Sequence, residues 1–139
     1  MTAADGGRSR FLDTNILLYL LSGDPRKADV AEDTLAEGGT ISVQVLNEFA
    51  SAATRKLGMA FDEVREVLAT VTAVCTVAPL TLAVHQRGLD IAQRLRFSVY
   101  DAMIVAAALE AGCSRLLSED LQHGQVIDRR LTVINPFQG

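Results

Sequence analysis

The chain of 139 residues lacks a long hydrophobic run. The two longest, Ile16–Leu21 and Ala102–Leu109, are far shorter than the roughly 18 residues that a membrane-spanning helix needs, so we expect no membrane span. The two cysteines, Cys75 and Cys113, lack the close spacing of a zinc or redox motif, and we interpret them as reduced core thiols of a cytoplasmic protein. The N-terminal segment lacks the apolar stretch of a secretory signal, and we expect residues 1–9 to form a flexible lead-in.

An excess of positive charge is also missing. The sequence has 13 Lys and Arg against 17 Asp and Glu, a net charge of −4, whereas a strongly basic domain would point directly to a nucleic-acid partner. A polyanionic ligand must therefore be bound by a local basic patch or through metal cations, and a basic protein partner is equally compatible. Neither lysine, Lys27 or Lys56, follows a late strand as a phosphotransfer receiver site requires. The sequence Asp13-Thr14-Asn15 also lacks the second Asp of a D-x-D phosphatase motif.

Short apolar runs alternate with amphipathic segments along residues 10–137, which we interpret as one globular domain. The pattern predicts helices that begin near residue 14 and over residues 25–38, 43–57, 61–70, 82–95 and 99–111. It predicts strands at Arg10–Leu12, Thr40–Ser42, Val74–Val77, Arg115–Ser118 and Leu131–Ile134. Because helices separate most of the strands, we expect an α/β fold with parallel strands and right-handed crossovers.

Four acidic residues lie near strand ends or helix starts, where open parallel sheets bind ligands. Each also has a purely structural explanation. Asp13 is a suitable N-cap, Asp101 forms a capping box with Ser98, and Asp120 fits a turn. Glu48 lies opposite the apolar stripe of its helix, which places it either in water or in a cleft.

Asp101 is harder to explain as a cap alone, because it shares a helix face with Ile104, Val105 and Ala108. Asp13 likewise lies between apolar residues, and neither acid has an adjacent Lys or Arg. If the four acids converge, their mutual repulsion must be relieved by protonation or by a divalent cation. A site with oxygen ligands alone selects Mg²⁺ or Mn²⁺ and suits the hydrolysis of phosphodiesters.

Four sequence blocks carry a resemblance to a known family: "FLDTNILLYLL", "ISVQVLNEFASA", "FSVYDAMIVAAALEAGCSRLLSEDLQHG" and "LTVINPF". In this order and spacing they resemble the PIN-domain ribonucleases, and among these the toxins of bacterial VapBC toxin–antitoxin pairs. The resemblance implies a single α/β/α sandwich with a small, mostly parallel sheet. It also implies an endoribonuclease that depends on Mg²⁺ or Mn²⁺, a VapB-type antitoxin as partner, and a homodimer.

The resemblance also assigns site residues. The four acids of the family, which hold the metal and act in catalysis, match Asp13, Glu48, Asp101 and Asp120. The polar residues that support them match Thr14, Asn15, Ser42 and Ser118. Glu119 is next to Asp120 and is an alternative for the fourth acid, although the spacing to Ser118 favours Asp120.

The sequence leaves several other interpretations open. Arg94 and Arg96 are candidates for guiding an RNA backbone, although an ordinary solvated helix end is the favoured explanation. His85 is interpreted as a surface residue, and His123 as a loop residue that could border the site. The alternatives to a toxin are a solitary PIN nuclease in RNA processing and a catalytically silent binding module with the same fold.

Overall fold

The computed structural model describes residues 9–138. The predicted lead-in of residues 1–9 therefore lies outside the described residues except for Ser9. The Ser9 carbonyl accepts hydrogen bonds from the backbone N–H groups of Ser114 (2.8 Å) and Arg115 (3.1 Å). Ser9 is thus tied to the start of the neighbouring strand.

Six strands form one sheet: β1 (Arg10–Leu12), β2 (Gly39–Ser42), β3 (Cys75–Ala78), β4 (Arg115–Leu117), β5 (Val126–Ile127) and β6 (Leu131–Ile134). Their order across the sheet is β3-β2-β1-β4-β6-β5. All neighbours pair in parallel except β5 and β6, which are antiparallel. From β1 the chain moves towards β3, and from β4 it moves towards β5. The strand order therefore reverses between β1 and β4, the place where parallel sheets bind ligands.

Six helices occur among residues 9–138: α1 (Thr14–Tyr19), α2 (Pro25–Ala36), α3 (Val43–Lys56), α4 (Phe61–Val74), α5 (Leu82–Leu95) and α6 (Val99–Glu110). Their starts follow ordinary capping chemistry, since Asp24, Ser42, Thr81 and Ser98 each accept a hydrogen bond from a backbone N–H in the first turn. None of these helices is long and apolar enough to cross a membrane.

The topology sorts the helices into two layers. Helices α1 to α4 connect β1 to β2 and β2 to β3 in one direction across the sheet, whereas α5 and α6 connect β3 to β4 in the other. Right-handed crossovers in opposite directions place these two groups on opposite faces. This confirms the predicted α/β class with a mostly parallel sheet.

Helix α6 is the most deeply buried helix, because every residue from Ala102 to Leu109 is buried. It packs closely against α5, where Gly88 faces Met103. A Cβ atom on Gly88 would lie 2.5 Å from the Met103 Sδ, so the Met103 side chain occupies the space that the absence of a Cβ leaves on α5.

Some predicted boundaries were wrong. Helix α4 continues to Val74 instead of ending near Thr70, and β3 begins one residue later, at Cys75. The antiparallel strand β5 was not predicted, because two residues are too few to show a periodic pattern. Cys75 and Cys113 are buried and form no disulfide, in agreement with the interpretation as core thiols.

Candidate active site

Asp13 lies directly after β1, at the reversal of strand order, and only 4% of its surface is exposed. It caps helix α1, because its Oδ1 accepts a hydrogen bond from the Thr14 backbone N–H at 2.7 Å. Its Oδ2 accepts one from the Ser118 Oγ at 2.8 Å, and Ser118 directly follows β4. The pairing of Leu12 with Leu117 brings these two strand ends side by side. The capping interpretation was thus correct, but it does not account for the burial.

The electrostatic environment of Asp13 disfavours its charged form. Burial raises the pKa of Asp13 to about 7, and the hydrogen bonds from Ser118 and Thr14 only partly oppose this. The negative charges of Asp120 and Glu48 raise the pKa of Asp13 further. Asp13 is therefore a carboxyl group close to other carboxylates, with neutral donors as its hydrogen-bond partners.

The side chains of Asp120 and Glu119 contact different residues. The Asn15 Nδ2 donates to the Asp120 Oδ2 at 3.1 Å, and the Asp120 backbone N–H donates to the Ser118 Oγ at 3.1 Å. Glu119 instead accepts a short hydrogen bond from the Tyr19 hydroxyl and lies 3.4 Å from the Lys27 Nζ. Of the two carboxylates, that of Asp120 is the one that shares a hydrogen-bond donor, the Asn15 Nδ2, with Asp13.

Glu48 lies in a cleft rather than in open water. The Thr14 Oγ1 donates to its Oε1 at 2.6 Å, and the Gln44 Nε2 donates to its Oε2 at 2.9 Å. Thr14 thus connects Glu48 to the helix that Asp13 caps. Ser42 is fully buried, and its Oγ accepts from the Val45 N–H at 3.3 Å. Ser42 therefore starts the helix that carries Glu48.

Asp101 is half-buried in the first turn of α6, where its backbone N–H donates to the Ser98 Oγ at 3.1 Å. Burial raises the pKa of Asp101, the hydrogen bond with Ser98 lowers it, and the charges of Asp120 and Glu48 raise it. The preceding carbonyl, that of Tyr100, accepts from the Gln44 Nε2 at 3.1 Å. Gln44 therefore joins the Glu48 side chain to the start of α6.

The four acids influence one another electrostatically, and within the described part of the chain none of them forms an ion pair. Over the same residues, no three His, Cys, Asp or Glu side chains stand close enough together to hold a metal ion directly. The donor set consists of carboxylate, hydroxyl and amide oxygens. Such donors suit Mg²⁺ or Mn²⁺, and Mg²⁺ usually keeps several waters and takes only one or two carboxylates. The chemistry of the donors fits a hydrated hard cation.

The three other candidate residues from the sequence make contacts or adopt conformations that have a structural role. Arg94 forms ion pairs with Asp90 (2.8 Å) and Asp128 (3.1 Å). Arg96 ends helix α5 with a left-handed backbone (φ 60°). The His123 Nδ1 accepts from the Asn135 backbone N–H at 3.0 Å, which agrees with the predicted loop role.

Sequence reasoning missed Gln44. Its position four residues before Glu48 places it on the same helix face, and this spacing was the available signal. Its second contact, with Tyr100, joins residues 56 positions apart and depends on how α3 and α6 pack.

A model of the PIN domain family matches residues 10–127, so the chain belongs to the PIN domain family. This confirms the resemblance found in the four sequence blocks. A comparison with curated proteins finds no match.

Several solved structures share the fold. A chain of a toxin–antitoxin complex from Klebsiella pneumoniae is 20% identical, with a TM-score of 0.70 over 92% of this chain and 98% of that one. Mycobacterium tuberculosis VapC20, a toxin that cleaves the sarcin–ricin loop, is 22% identical, with a TM-score of 0.67 over 81% and 90%. VapBC2 from Rickettsia felis, bound to a DNA fragment from its promoter, is 14% identical, with a TM-score of 0.66 over 91% and 98%.

Proposed function

We propose that this protein is an endoribonuclease that depends on Mg²⁺ or Mn²⁺ and serves as the toxin of a toxin–antitoxin pair. The observation that carries the proposal is the group of four acids at the reversal of strand order, which repel one another and are paired with neutral donors. Membership of the PIN domain family supports nuclease chemistry. The similarity to a toxin that cleaves the sarcin–ricin loop favours RNA as the substrate class.

Asp13, Glu48, Asp101 and Asp120 would hold the cation. When bound, Mg²⁺ or Mn²⁺ lowers the pKa of water and offsets the charge of the scissile phosphate. The chain itself supplies orientation, since Thr14 and Gln44 fix the two oxygens of Glu48, while Ser118 and Asn15 hold Asp13 and Asp120. Carboxylates repel phosphates, so substrate binding at this point needs the cation.

The partner of this protein would be an antitoxin of the VapB type. The similarity to chains from toxin–antitoxin complexes supports such a partner. An apolar partner contact needs an exposed apolar side chain: Ile16 and Leu17 are buried, whereas 68% of Phe61 is exposed. Phe61 is therefore the better candidate for a partner contact. The homodimer implied by the family resemblance stays a prediction.

The nuclease proposal is tested by RNA cleavage with purified full-length protein in Mn²⁺ and in EDTA. We expect Asp13→Asn and Asp101→Asn to lower the metal-dependent cleavage rate by about 10²- to 10³-fold, because each removes a charged oxygen ligand. Glu119→Gln is the matched control. It also removes one carboxylate near the site, but that carboxylate contacts Tyr19 and Lys27, so its rate should stay within a few-fold of the parent.

Cleavage that persists in both Asp variants would refute the proposed site. The alternative of a silent binding module predicts no RNA cleavage and no stabilisation by Mn²⁺ in thermal unfolding. A nuclease with this site should instead unfold at a higher temperature in Mn²⁺, since a ligand that binds only the folded state stabilises it.

A further inference from the structure

Gln44 on helix α3 is a buried polar residue, with 8% of its surface exposed, and it is not one of the residues that the sequence assigned to the site. Its amide nitrogen, Nε2, donates to the Glu48 Oε2 at 2.9 Å and to the Tyr100 backbone carbonyl at 3.1 Å. Tyr100 directly precedes Asp101 in the first turn of α6. A single nitrogen atom therefore connects one acid of the site, Glu48, with the turn that carries another, Asp101.

The two partners of Gln44 determine which way its amide group points. An ionised carboxylate and a backbone carbonyl can only accept hydrogen bonds, so the atom between them has to be the nitrogen and not the oxygen. Both N–H groups of that nitrogen are then used, one for each partner. Because the amide group is planar, the two hydrogen bonds hold the Glu48 carboxylate and the Tyr100 carbonyl at a fixed separation.

The Glu48 carboxylate is held from two sides. From helix α1, which Asp13 caps, the Thr14 Oγ1 donates to the Glu48 Oε1 at 2.6 Å. Gln44 donates to the other oxygen. Each carboxylate oxygen has two lone pairs, so each keeps one for a cation after it has accepted its hydrogen bond. The two hydrogen bonds therefore orient Glu48 relative to Asp13 and Asp101 without blocking it as a ligand.

A fixed separation between two carboxylates matters more for some cations than for others. Mg²⁺ requires nearly ideal octahedral geometry with bonds of about 2.0–2.1 Å, whereas Ca²⁺ accepts about six to eight oxygens at about 2.3–2.6 Å in a flexible arrangement. Selectivity between these two ions depends on the number of ligands, the size of the site and its rigidity. A rigid pair of carboxylates can therefore favour Mg²⁺, and loosening the pair reduces that preference.

We propose that Gln44 is a positioning residue that sets the separation of Glu48 and Asp101 and thereby the preference of the site for Mg²⁺ over Ca²⁺. This rests on the proposed function, because it requires a cation to bind at the four acids. In this role Gln44 touches neither the cation nor the substrate, and it acts through Glu48 and through the first turn of α6. The bond to the Tyr100 carbonyl distinguishes this role from an ordinary hydrogen bond within one helix.

The competing explanation is that Gln44 only stabilises the contact between two helices, and three variants separate the two explanations. Gln44→Met keeps the length of the side chain and removes both donors. Gln44→Asn keeps the amide group but is one methylene too short to reach both partners. Thr54→Val is the matched control, because it removes a hydrogen bond from the same helix, that of the Thr54 Oγ1 to the Ala50 carbonyl at 2.8 Å, outside the site.

The test measures cation binding by the full-length protein without RNA. The electron paramagnetic resonance signal of free Mn²⁺ reports Mn²⁺ binding, and Mg²⁺ and Ca²⁺ are titrated as competitors. We expect Gln44→Met and Gln44→Asn to weaken Mg²⁺ binding by roughly 10- to 100-fold, the usual cost of removing a hydrogen-bond partner of a metal ligand. Ca²⁺ binding should weaken by less than about 3-fold, because its geometry is flexible. Thr54→Val should keep both affinities of the parent.

A second measurement asks whether Gln44 acts through Glu48. In the Glu48→Gln background, Gln44→Met should change the Mg²⁺ affinity by less than about 2-fold, because a residue that acts through another has little effect once the other is removed. Gln44 and Glu48 both line a cavity of about 660 Å³, so water can replace the lost hydrogen bonds, and we expect the variants to stay folded. Circular dichroism verifies this.

The proposal fails if the Gln44 variants bind Mg²⁺ like the parent, or if Mg²⁺ and Ca²⁺ binding weaken by the same factor, since a general loosening of the fold would do that. A full effect of Gln44→Met in the Glu48→Gln background would also overturn it. None of these results touches the nuclease proposal as long as the parent binds Mn²⁺ and Asp13→Asn weakens that binding. A parent that binds no Mn²⁺ would overturn both the proposed function and the role of Gln44.

Discussion

A buried ionisable residue lies at each end of strand β1, and the surroundings of the two residues differ in sign. Those of Arg10 favour its charged form, whereas those of Asp13 disfavour it. Arg10, at its start, donates to the Thr34 carbonyl at 2.7 Å and forms an ion pair with Glu37 at 3.1 Å. Asp13, just after its end, has neutral donors and acidic neighbours. A counter-ion offsets the cost of burying a charge, whereas like charges nearby add to that cost. The second kind indicates a site where function outweighs stability.

The pH dependence of stability should show this contrast most strongly. Because the folded protein raises the pKa of Asp13 from 3.8 to about 7, neutral Asp13 favours folding. Its contribution is fully present below pH 4 and is lost as the pH rises to about 7, at a cost of up to about 4 kcal/mol. Asp13→Asn should remove this loss and be more stable than the parent at pH 8. Urea denaturation of the parent and of Asp13→Asn at pH 5 and pH 8 in EDTA measures this difference in the free energy of unfolding.

Identical pH dependence in the parent and Asp13→Asn would contradict the electrostatic account of Asp13. Asp101→Asn is a useful companion variant, because the pKa of Asp101 is raised for the same reason, burial, at a less buried position. The gain in stability of Asp101→Asn over the parent at high pH should therefore be smaller than that of Asp13→Asn.

Arg10→Met should change the free energy of unfolding in the opposite direction from Asp13→Asn, that is, it should destabilise the protein. It keeps much of the apolar stem but removes the donor to Thr34 and the charge opposite Glu37, so we expect about 2–3 kcal/mol of destabilisation at every pH. Arg65→Met is the control, since Arg65 pairs with Asp62 on the exposed surface and should change stability by less than about 0.5 kcal/mol. Urea denaturation checks both, and equal effects would remove the distinction between them.

Tyr19→Phe should have the smallest effect. It removes the hydroxyl between Lys27 and Glu119 but keeps the ring that packs edge-on against Phe137, at 4.6 Å between ring centres. We expect a loss of about 1 kcal/mol and faster amide exchange at Glu119 and Asp120, measured by NMR. Unchanged exchange there would mean that this contact does not hold the loop that carries Asp120.

The sequence was informative wherever a residue's own neighbours revealed its environment. Asp13 and Asp101 stand out because apolar residues flank them without a cation nearby, and the caps at Ser42 and Ser98 follow from residue type alone. The alternation of strands and helices likewise leads to the parallel sheet, because few connections satisfy the handedness of crossovers.

Contacts between distant segments could not be predicted in this way. Periodicity places Glu48 away from its apolar stripe, but only the packing of α3 beside α1 shows that Thr14 binds it. The choice between Glu119 and Asp120 depends on Tyr19, a hundred residues earlier in the chain. Such contacts follow from tertiary structure, which neither propensity nor spacing encodes.

The tight fit of Gly88 against Met103 has a consequence for which substitutions this protein can tolerate. A larger side chain at Gly88 would meet the Sδ and Cε atoms at the end of the buried Met103 side chain, which would then have to move within the packed interface between α5 and α6. A substitution at this remote glycine would thus disturb the packing of the helix that carries Asp101 without altering any of the four acids.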